Sequence, residues 1–315
     1  MSRLKVLFMG TPDFAVPTLE TLCNSEYEVI GVVTQPDKPK GRGKSIQMTP
    51  VKECALKYDI PVYQPVKLRE QENIDELSKL DIDFIVVVAF GQILPKSVLD
   101  MPKYGCINVH SSLLPKYRGA APIQWTIIEG EEKTGITTMF MDEGLDTGDI
   151  LLQEETPISD DETGGSLHDR LADMGASLLL KTLEGVKNNT IKRIKQDDEL
   201  SNYVGMLNKS HGQMDFEKSA VELDRLVRGL NPWPSAYTSL NGKMFKIWEA
   251  KAMEINEQYT DKDNGEIVEV NKDSIIVKTG NGLLKLLQVQ LEGKKRMFVE
   301  DFLRGYEVNV GDKLI

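Results

Sequence analysis

The chain has 315 residues, which is enough for about two domains of ordinary size. Hydrophobic side chains make up 40% of it and charged side chains 28%, as in a globular protein with a sizeable core. The 49 acidic and 38 basic side chains give a net charge of −11. This balance excludes nucleic-acid binding by a uniformly basic surface, but a local basic patch remains open.

Several classes of protein are excluded by short-range patterns. No apolar run approaches the ~20 residues of a membrane span. The first ten residues run into a turn and a helix pattern rather than a signal-peptide cleavage site. The cysteines and histidines lack the spacing of a disulfide framework or a metal site: Cys23, Cys54, Cys106, His110, His168 and His211. We therefore expect a reduced, metal-free, cytoplasmic protein.

The first 190 residues alternate strand and helix patterns. Apolar or β-branched runs predict strands over 4–10, 28–35, 60–64, 83–90, 105–110, 135–141 and 149–154. Helices are predicted from Thr11 or Asp13, as caps, through Leu22, and over 121–129 and 165–186. This alternation predicts a Rossmann-like α/β domain with a mostly parallel sheet and helices on both faces. Such sheets bind ligands outside the carboxyl ends of their strands.

The second part of the chain has a different composition. Residues 188–210 are polar, and we expect a linker over 191–208 between domains at 1–190 and 209–315. One helix pattern covers 220–230, and short strand patterns follow with turn signals at Asn241-Gly242, Asn281-Gly282 and Glu292-Gly293. This pattern predicts a small β-barrel or sandwich.

Asn108 and His110 end one of the predicted strands. Side chains at positions i and i+2 share one face, so the amide and the imidazole project together at the ligand-binding edge. Some 35 residues later, the glycines of the run 142–149 imply a tight turn between two strands, and its carboxylates include Asp142 and Asp146. An amide donor, an imidazole and a carboxylate together suit acyl-type transfer through a tetrahedral intermediate.

Each feature also has a structural explanation when it is taken alone. His110 could simply bond a backbone carbonyl, and Asp-Thr-Gly is a common turn. Cys106 is interpreted as a core residue rather than a nucleophile, because nothing around it would activate a thiol.

Taken together, the segments NVHSSLLPKYRGAAP at 108–122 and DEGLDTGD at 142–149 resemble the folate-dependent formyltransferases. The opening MGTPDFAVP, the run 35–44 and Asn-Pro-Trp-Pro at 231–234 resemble members that act on initiator methionyl-tRNA. The resemblance implies transfer of a formyl group from 10-formyltetrahydrofolate to the methionine amino group. It also implies an OB-like fold for the second domain, which would bind tRNA. We expect a monomer.

The resemblance also implies a role for individual residues. Asn108, His110 and Asp146 would be catalytic: Asn108 would donate to the oxyanion, and Asp146 would orient His110 and a proton-relaying water. His110 would either polarise the formyl oxygen or protonate the leaving folate nitrogen. Folate-binding positions are implied on three segments, at Gln92, Ile93, Ser112, Leu113, Leu114, Pro115 and Asp142. No metal is required.

Two basic runs are candidates for tRNA contact. The first run lies between Asp37 and Lys52 and is rich in glycine and proline. The only other charged residues in it are basic: Lys38, Lys40, Arg42 and Lys44. The second run, on a predicted hairpin, is Lys294, Lys295 and Arg296. Both could be ordinary solvated segments. A basic loop at the active-site rim would instead grip tRNA phosphates.

Four alternative functions can be compared with this prediction, and the first two remain open. A formyl-folate hydrolase module and an amino-sugar nucleotide formyltransferase would share the catalytic trio, although the basic run near Arg42 favours tRNA. A dinucleotide-dependent oxidoreductase lacks support, because Gly10-Thr11-Pro12 replaces the G-x-G-x-x-G fingerprint. A catalytically silent RNA-binding protein would have no use for the trio.

Overall fold

A computed structural model describes residues 3–40 and 45–315. Within those residues, no helix is both long enough and apolar enough to cross a membrane. The chain forms two compact units. Unit 1 comprises Met1–Gly119, Lys133–Thr156 and His168–Val204, and unit 2 comprises Ala120–Glu132, Pro157–Leu167 and Gly205–Ile315. The domain boundaries expected at residues 190 and 208 stay a prediction.

The strands are β1 Lys5–Gly10, β2 Glu28–Val33, β3 Lys38–Lys40, β4 Ser45–Gln47, β5 Val62–Tyr63, β6 Phe84–Val88, β7 Cys106–His110, β8 Arg118–Gly119, β9 Lys133–Phe140, β10 Ile150–Pro157, β11 Tyr203–Val204, β12 Ala236–Leu240, β13 Lys243–Met253, β14 Ile267–Val270, β15 Ile275–Lys278, β16 Leu283–Leu291 and β17 Met297–Phe298. The α-helices are α1 Val16–Cys23, α2 Pro50–Lys57, α3 Gln71–Leu77, α4 Lys96–Leu99, α5 Pro122–Glu129, α6 Gly164–Lys187, α7 Ala220–Gly229 and α8 Val299–Gly305.

Unit 1 is built on a seven-stranded sheet with the order β10-β9-β7-β6-β1-β2-β5. The five strands from β7 to β5 are parallel, and β9 runs antiparallel to β7. Every residue of β6 is buried, which explains its unbroken apolar sequence. The predicted mostly parallel Rossmann-like sheet is confirmed.

Alternate residues of the central strands pack on opposite faces of this sheet. Leu7 and Met9 of β1 share one buried cluster with Ile85 and Val87 of β6. Leu77 of α3 covers them on that side. The chain leaves β1 toward β2 on one side, and β6 lies on the other, so the strand order reverses at β1. A ligand crevice is therefore expected at the carboxyl ends of β1 and its neighbours.

The first helix begins differently from the prediction. A short 3-10 turn at Asp13–Ala15 precedes α1, and no side chain caps α1. The Thr11 hydroxyl donates instead to the Phe90 carbonyl at 2.9 Å, just beyond β6. The prediction that Thr11 or Asp13 caps the helix was wrong, because Thr11 joins the ends of β1 and β6.

The polar segment after α6 packs on unit 1. Ile194 forms a β-bridge with Ile150, and β11 pairs in parallel with β8. Gln196 is buried at 7% exposure despite its charged neighbours. This segment therefore adds side chains to the interior of unit 1.

Unit 2 contains an antiparallel sheet in the order β12-β13-β16-β15-β14, with β17 paired to β16. Its last residues join the two edges, since Leu314 bridges Leu240 and Lys313 bridges Glu266. Asn241 and Gly242 both have positive φ, at 50° and 74°, as the predicted hairpin turn requires. The predicted β-rich second part of the chain is confirmed.

The helix of unit 2 has a sequence-encoded start. Ser219 and Glu222 form a capping box, in which each side chain accepts from the other's backbone N–H. Leu223 and Val227 of α7 pack into the same core as Phe245, Leu284 and other residues of this sheet.

Candidate active site

The site is centred on the carboxyl end of β7. Asn108 and His110 lie on alternate positions of this strand, beside Val87 of β6 and Thr137 of β9 respectively. His110 is buried at 7% exposure and Asn108 is half-buried. The predicted placement of an amide and an imidazole on one strand end is therefore present.

The ring of His110 is held through one nitrogen. Its Nε2 lies 2.9 Å from the carbonyl oxygen of Tyr117. A carbonyl can only accept a hydrogen bond, so Nε2 carries a hydrogen whether the ring is neutral or charged. Nδ1 is consequently the nitrogen that can gain or lose a proton.

Asp146 reaches the same ring from the loop between β9 and β10. Its Oδ2 lies 3.7 Å from His110 Nδ1 and accepts the Gly119 N–H at 2.8 Å. The Asp146 side chain is only 11% exposed. The strand β9 ends beside Ile107, so the loop folds back along β7 to bring the carboxylate to the imidazole.

Three residues around the site have a backbone conformation that is unfavourable for L-residues. Asp146 and Tyr117 have φ values of 57° and 59°, and Ala89, directly after β6, has 46°. L-residues adopt this left-handed region only at a cost, and such residues are frequent at functional sites. Each of the three lies on a segment that the sequence assigned to catalysis or folate binding, or directly beside one.

Asn108 differs from its neighbours in its hydrogen bonding. Among residues 3–40 and 45–315, its side-chain amide has no hydrogen-bond partner, although it is half-buried. It is therefore available to a bound molecule.

The segment Ser112–Pro115 is held rigidly beside the site. The buried Ser112 hydroxyl donates to the Lys116 carbonyl at 2.7 Å. The Thr137 hydroxyl donates to the Ser112 carbonyl and accepts the Leu114 N–H. Gln153 donates to the Leu114 carbonyl at 2.9 Å. Leu113 and Pro115 are partly exposed.

The other predicted folate positions are placed as follows. Gln92 uses its side chain internally: it accepts the Leu68 N–H at 2.7 Å and donates to the Pro65 carbonyl at 3.0 Å. Ile93 is 83% exposed, although it is apolar. Asp142 accepts the Thr147 hydroxyl and the Gly144 N–H, so it shapes the loop that carries Asp146.

Two important residues were missed by sequence reasoning, Arg118 and Gln196. Arg118 is 1% exposed, and its guanidinium donates to Gln196 Oε1. Burial lowers the pKa of Arg118, but hydrogen bonds to Tyr203 and Asp198 outweigh that effect and raise it overall, so the group remains a cation. Arg118 lies inside the motif at 108–122, but nothing in the polar sequence around Gln196 signals a buried partner.

The first basic run is only partly described. Lys38 is exposed in β3, whereas Arg42, Lys44 and the side chain of Lys40 lie outside the described part of the chain. Lys52 is paired with Asp37 at 2.6 Å and with Gln64 at 2.7 Å. Hydrogen bonds that Lys52 and the Gln64 amide donate to Asp37 hold the pKa of that carboxyl below its usual range. The ion pair between Lys52 and Asp37 therefore joins the two ends of this run, which we call its closed base.

The second basic run occupies the turn between β16 and β17. Lys294, Lys295 and Arg296 are all exposed. The Arg296 guanidinium lies 5.0 Å from the ring centre of Trp248, and Lys246 lies 5.6 Å from the same ring. The turn thus forms a cationic edge beside a partly exposed aromatic side chain.

Cysteine chemistry plays no visible part at this site. Burial raises the pKa of the Cys106 thiol to about 12, so the thiolate is scarce at neutral pH. This agrees with the interpretation of Cys106 as a core residue. In the described part of the chain, no cluster of three or more His, Cys, Asp or Glu side chains is arranged to hold a metal ion.

Comparison with known proteins adds close relatives. A methionyl-tRNA formyltransferase of Agathobacter rectalis is 56% identical over 308 residues, covering 98% of each chain. A methionyl-tRNA formyltransferase of Clostridioides difficile is 53% identical, covering 98% of this chain and 99% of that one.

Solved structures share the fold at lower identity. An N-formyltransferase from Helicobacter canadensis, in complex with folinic acid and dTDP-3-aminofucose, has a TM-score of 0.67 and 22% identity, covering 90% of this chain and 99% of that chain. HypX from Aquifex aeolicus, in complex with tetrahydrofolic acid, has a TM-score of 0.62 and 15% identity, covering 99% of this chain and 51% of that chain.

Family models match both parts of the sequence. The model described as formyl transferase matches residues 2–183, and the model described as formyl transferase, C-terminal domain, matches residues 206–307. With relatives above 50% identity over nearly the whole chain, these matches establish that the chain belongs to the formyl transferase family.

Proposed function

We propose that this chain transfers a formyl group from 10-formyltetrahydrofolate to the α-amino group of methionine on initiator methionyl-tRNA. The observation that carries the proposal is the convergence of Asn108, His110 and Asp146 from two distant segments. The names and identities of the relatives above support the choice of acceptor. Because this reaction prepares the first amino acid for translation, we propose a cytoplasmic location.

The residues around the trio fit a folate. Ile93 and Leu145 are exposed apolar side chains, at 83% and 58%, on two segments that we assign to the flat ring system. The backbone of Ser112–Pro115 would form a wall, Gln92 would keep the segment before Ile93 in place, and Asp142 would shape the opposite loop. When bound, 10-formyltetrahydrofolate supplies an activated formyl group.

His110 and Asp146 would handle the proton. Since Nε2 is committed to the Tyr117 carbonyl, His110 would hold or release a proton at Nδ1. Asp146 would stabilise the imidazolium across 3.7 Å. A free α-amine titrates at about 7.7–8.0, so the attacking group needs only mild deprotonation.

Asn108 would stabilise developing charge. Its side-chain amide would donate to the formyl oxygen as that oxygen becomes negative. The amide is carried by the strand β7 and makes no competing bond within the described residues. It would therefore need little reorganisation during the reaction.

Contacts with tRNA would come from both basic runs. Lys38, Lys40, Arg42 and Lys44 would bind backbone phosphates, and the closed base formed by Lys52 and Asp37 would anchor their segment. In unit 2, Lys294, Lys295 and Arg296 would add phosphate contacts, and Trp248 offers a surface for stacking. We propose that residues 209–315 are the OB-like tRNA-binding domain and 1–190 the catalytic domain, joined by 191–208.

One assay with a panel of acceptors tests this proposal. The purified chain is incubated with 10-formyltetrahydrofolate and methionine-charged initiator tRNA, uncharged initiator tRNA, a dTDP-amino sugar or no acceptor. We expect formyl transfer to the charged tRNA alone. Release of formate without an acceptor would identify a hydrolase, and transfer to the sugar would identify an amino-sugar enzyme.

We propose a monomer, since one chain supplies the whole trio, and sedimentation equilibrium tests this.

A further inference from the structure

A buried cation lies next to the candidate site without touching the trio. Arg118 is the largest side chain in unit 1 with under 2% exposure. It occupies the short strand β8, directly before Gly119, whose N–H binds the Asp146 carboxylate. Burying a charge costs several kcal/mol unless it is well paired. Because burying this charge is costly, we expect Arg118 to have a function other than packing.

The guanidinium makes two hydrogen bonds to one neutral amide. Its Nε and Nη2 donate to Gln196 Oε1 at 3.1 and 2.9 Å. Nη2 also donates to Asp198 at 2.8 Å, and Nη1 donates to the Tyr203 hydroxyl at 3.2 Å. Asp198 is 82% exposed, so its pairing with Arg118 is well screened by solvent.

Gln196 connects the Arg118 guanidinium to the loop that carries Asp146. With Oε1 held by the guanidinium, its Nε2 must point the other way. It donates to the carbonyl oxygens of Asp146 at 2.9 Å and Gly148 at 2.7 Å. Both backbone groups belong to the loop that carries the Asp146 carboxylate.

Asp146 is therefore held at two points from one short strand. Its carboxylate is bound by the N–H of Gly119, and its carbonyl is bound through Gln196 by the side chain of Arg118. Its φ of 57° is unfavourable for an aspartate and needs such support. Without the second point, the backbone could relax and draw the carboxylate away from His110.

We propose that Arg118 and Gln196 are positioning residues, which hold Asp146 in its left-handed conformation so that its carboxylate faces His110 Nδ1. This inference rests on the proposed formyl transfer for its kinetic consequences. The hydrogen-bond chain itself, from Arg118 through Gln196 to Asp146, is independent of the substrate.

The variant Gln196→Glu separates positioning from stability. A glutamate keeps an acceptor for Arg118, so the buried cation remains paired. It removes both donors to the loop and places an oxygen against the carbonyls of Asp146 and Gly148. We expect kcat to fall about 10–100-fold, as for a catalytic group displaced by about 1 Å. The KM for the charged tRNA should change less than threefold, because the basic runs proposed to bind it lie on other segments.

Two comparisons distinguish positioning from general damage. Asp198→Asn removes the charge of the exposed partner of Arg118, keeps an acceptor oxygen and leaves the loop untouched, so it should keep kcat within twofold of the parent. In an Asp146→Asn background, Gln196→Glu should cost less than threefold more, because residues acting through one group are not additive. A full multiplication of the two losses, or an equal loss in Asp198→Asn, would overturn the proposal.

A second readout does not depend on activity. Hydrogen exchange of the peptide covering 142–149 should be at least threefold faster in Gln196→Glu, while peptides of unit 2 remain unchanged. If Gln196→Glu does not fold, Arg118→Lys serves in its place, because lysine keeps the charge but lacks the planar fork of donors. Arg118→Lys should show the same faster exchange over 142–149. Unchanged exchange in a folded variant refutes positioning. Faster exchange in a chain inactive on charged tRNA refutes only the proposed function.

Discussion

The charge on Asp146 should be worth about three orders of magnitude in turnover. Asp146→Asn is nearly isosteric, and the amide oxygen can still accept the Gly119 N–H, so the loop should keep its shape. What is lost is the attraction between a carboxylate and an imidazolium 3.7 Å apart. At an effective dielectric constant of 20, that attraction is about 4 kcal/mol. At 1.4 kcal/mol per tenfold, this corresponds to roughly a thousandfold in rate.

The assay is single-turnover formylation of methionine-charged initiator tRNA at saturating folate, which reports the chemical step. We expect a roughly 10²–10³-fold slower rate for Asp146→Asn, because the amide dipole retains part of the attraction. His110→Ala should be similarly slow, and the double variant should be little worse than either single one. A loss below tenfold in Asp146→Asn, or multiplied losses in the double variant, would show that the two residues do not act as a pair.

Three further predictions concern separate parts of the chain. Asn108→Ala should lower kcat by roughly 10²–10³-fold in the same assay with an unchanged Tm, because its amide makes no bond among the described residues; a turnover near that of the parent would remove it from the mechanism. Arg42→Ala should weaken binding of charged tRNA by ~1–3 kcal/mol and reduce the salt slope by about one, with folate affinity unchanged; an identical slope would assign the run to solvated surface. Cys106 should react with iodoacetamide at pH 8 roughly a thousandfold more slowly than a free thiol, as its raised pKa of about 12 leaves little thiolate, and fast labelling followed by mass spectrometry would contradict its place in the core.

The features that sequence patterns predicted depend on local periodicity. The strand Phe84–Val88 is buried at every position, so its apolar run is unbroken and easily identified. Asn108 and His110 are two residues apart on a strand, which is enough to place them on one face. Asn241-Gly242 predicted its hairpin because both positions need positive φ.

The features that sequence patterns missed depend on distant contacts. Arg118 and Gln196 are 78 positions apart, and Gln196 stands in a charged stretch typical of an exposed linker. Thr11 looked like a helix cap, but its hydroxyl bonds to Phe90, which is 79 positions away. The sequence shows Lys52 only as a further basic residue at the end of the first basic run, whereas in the structure it forms an ion pair with Asp37. In each case the partner that decides the role comes from tertiary structure.

The central claim is that Asn108, His110 and Asp146 carry formyl transfer to the charged initiator tRNA. It is tested most directly by rapid-quench single turnover with folate labelled in the formyl carbon, comparing the parent chain with each single alanine variant and the triple variant. We predict label on the methionine amino group with the parent, and similar slow rates for His110→Ala, Asp146→Ala and the triple variant, because the trio acts as a unit. Transfer at the parent rate by any single variant, or label released as free formate by the parent, would contradict the claim.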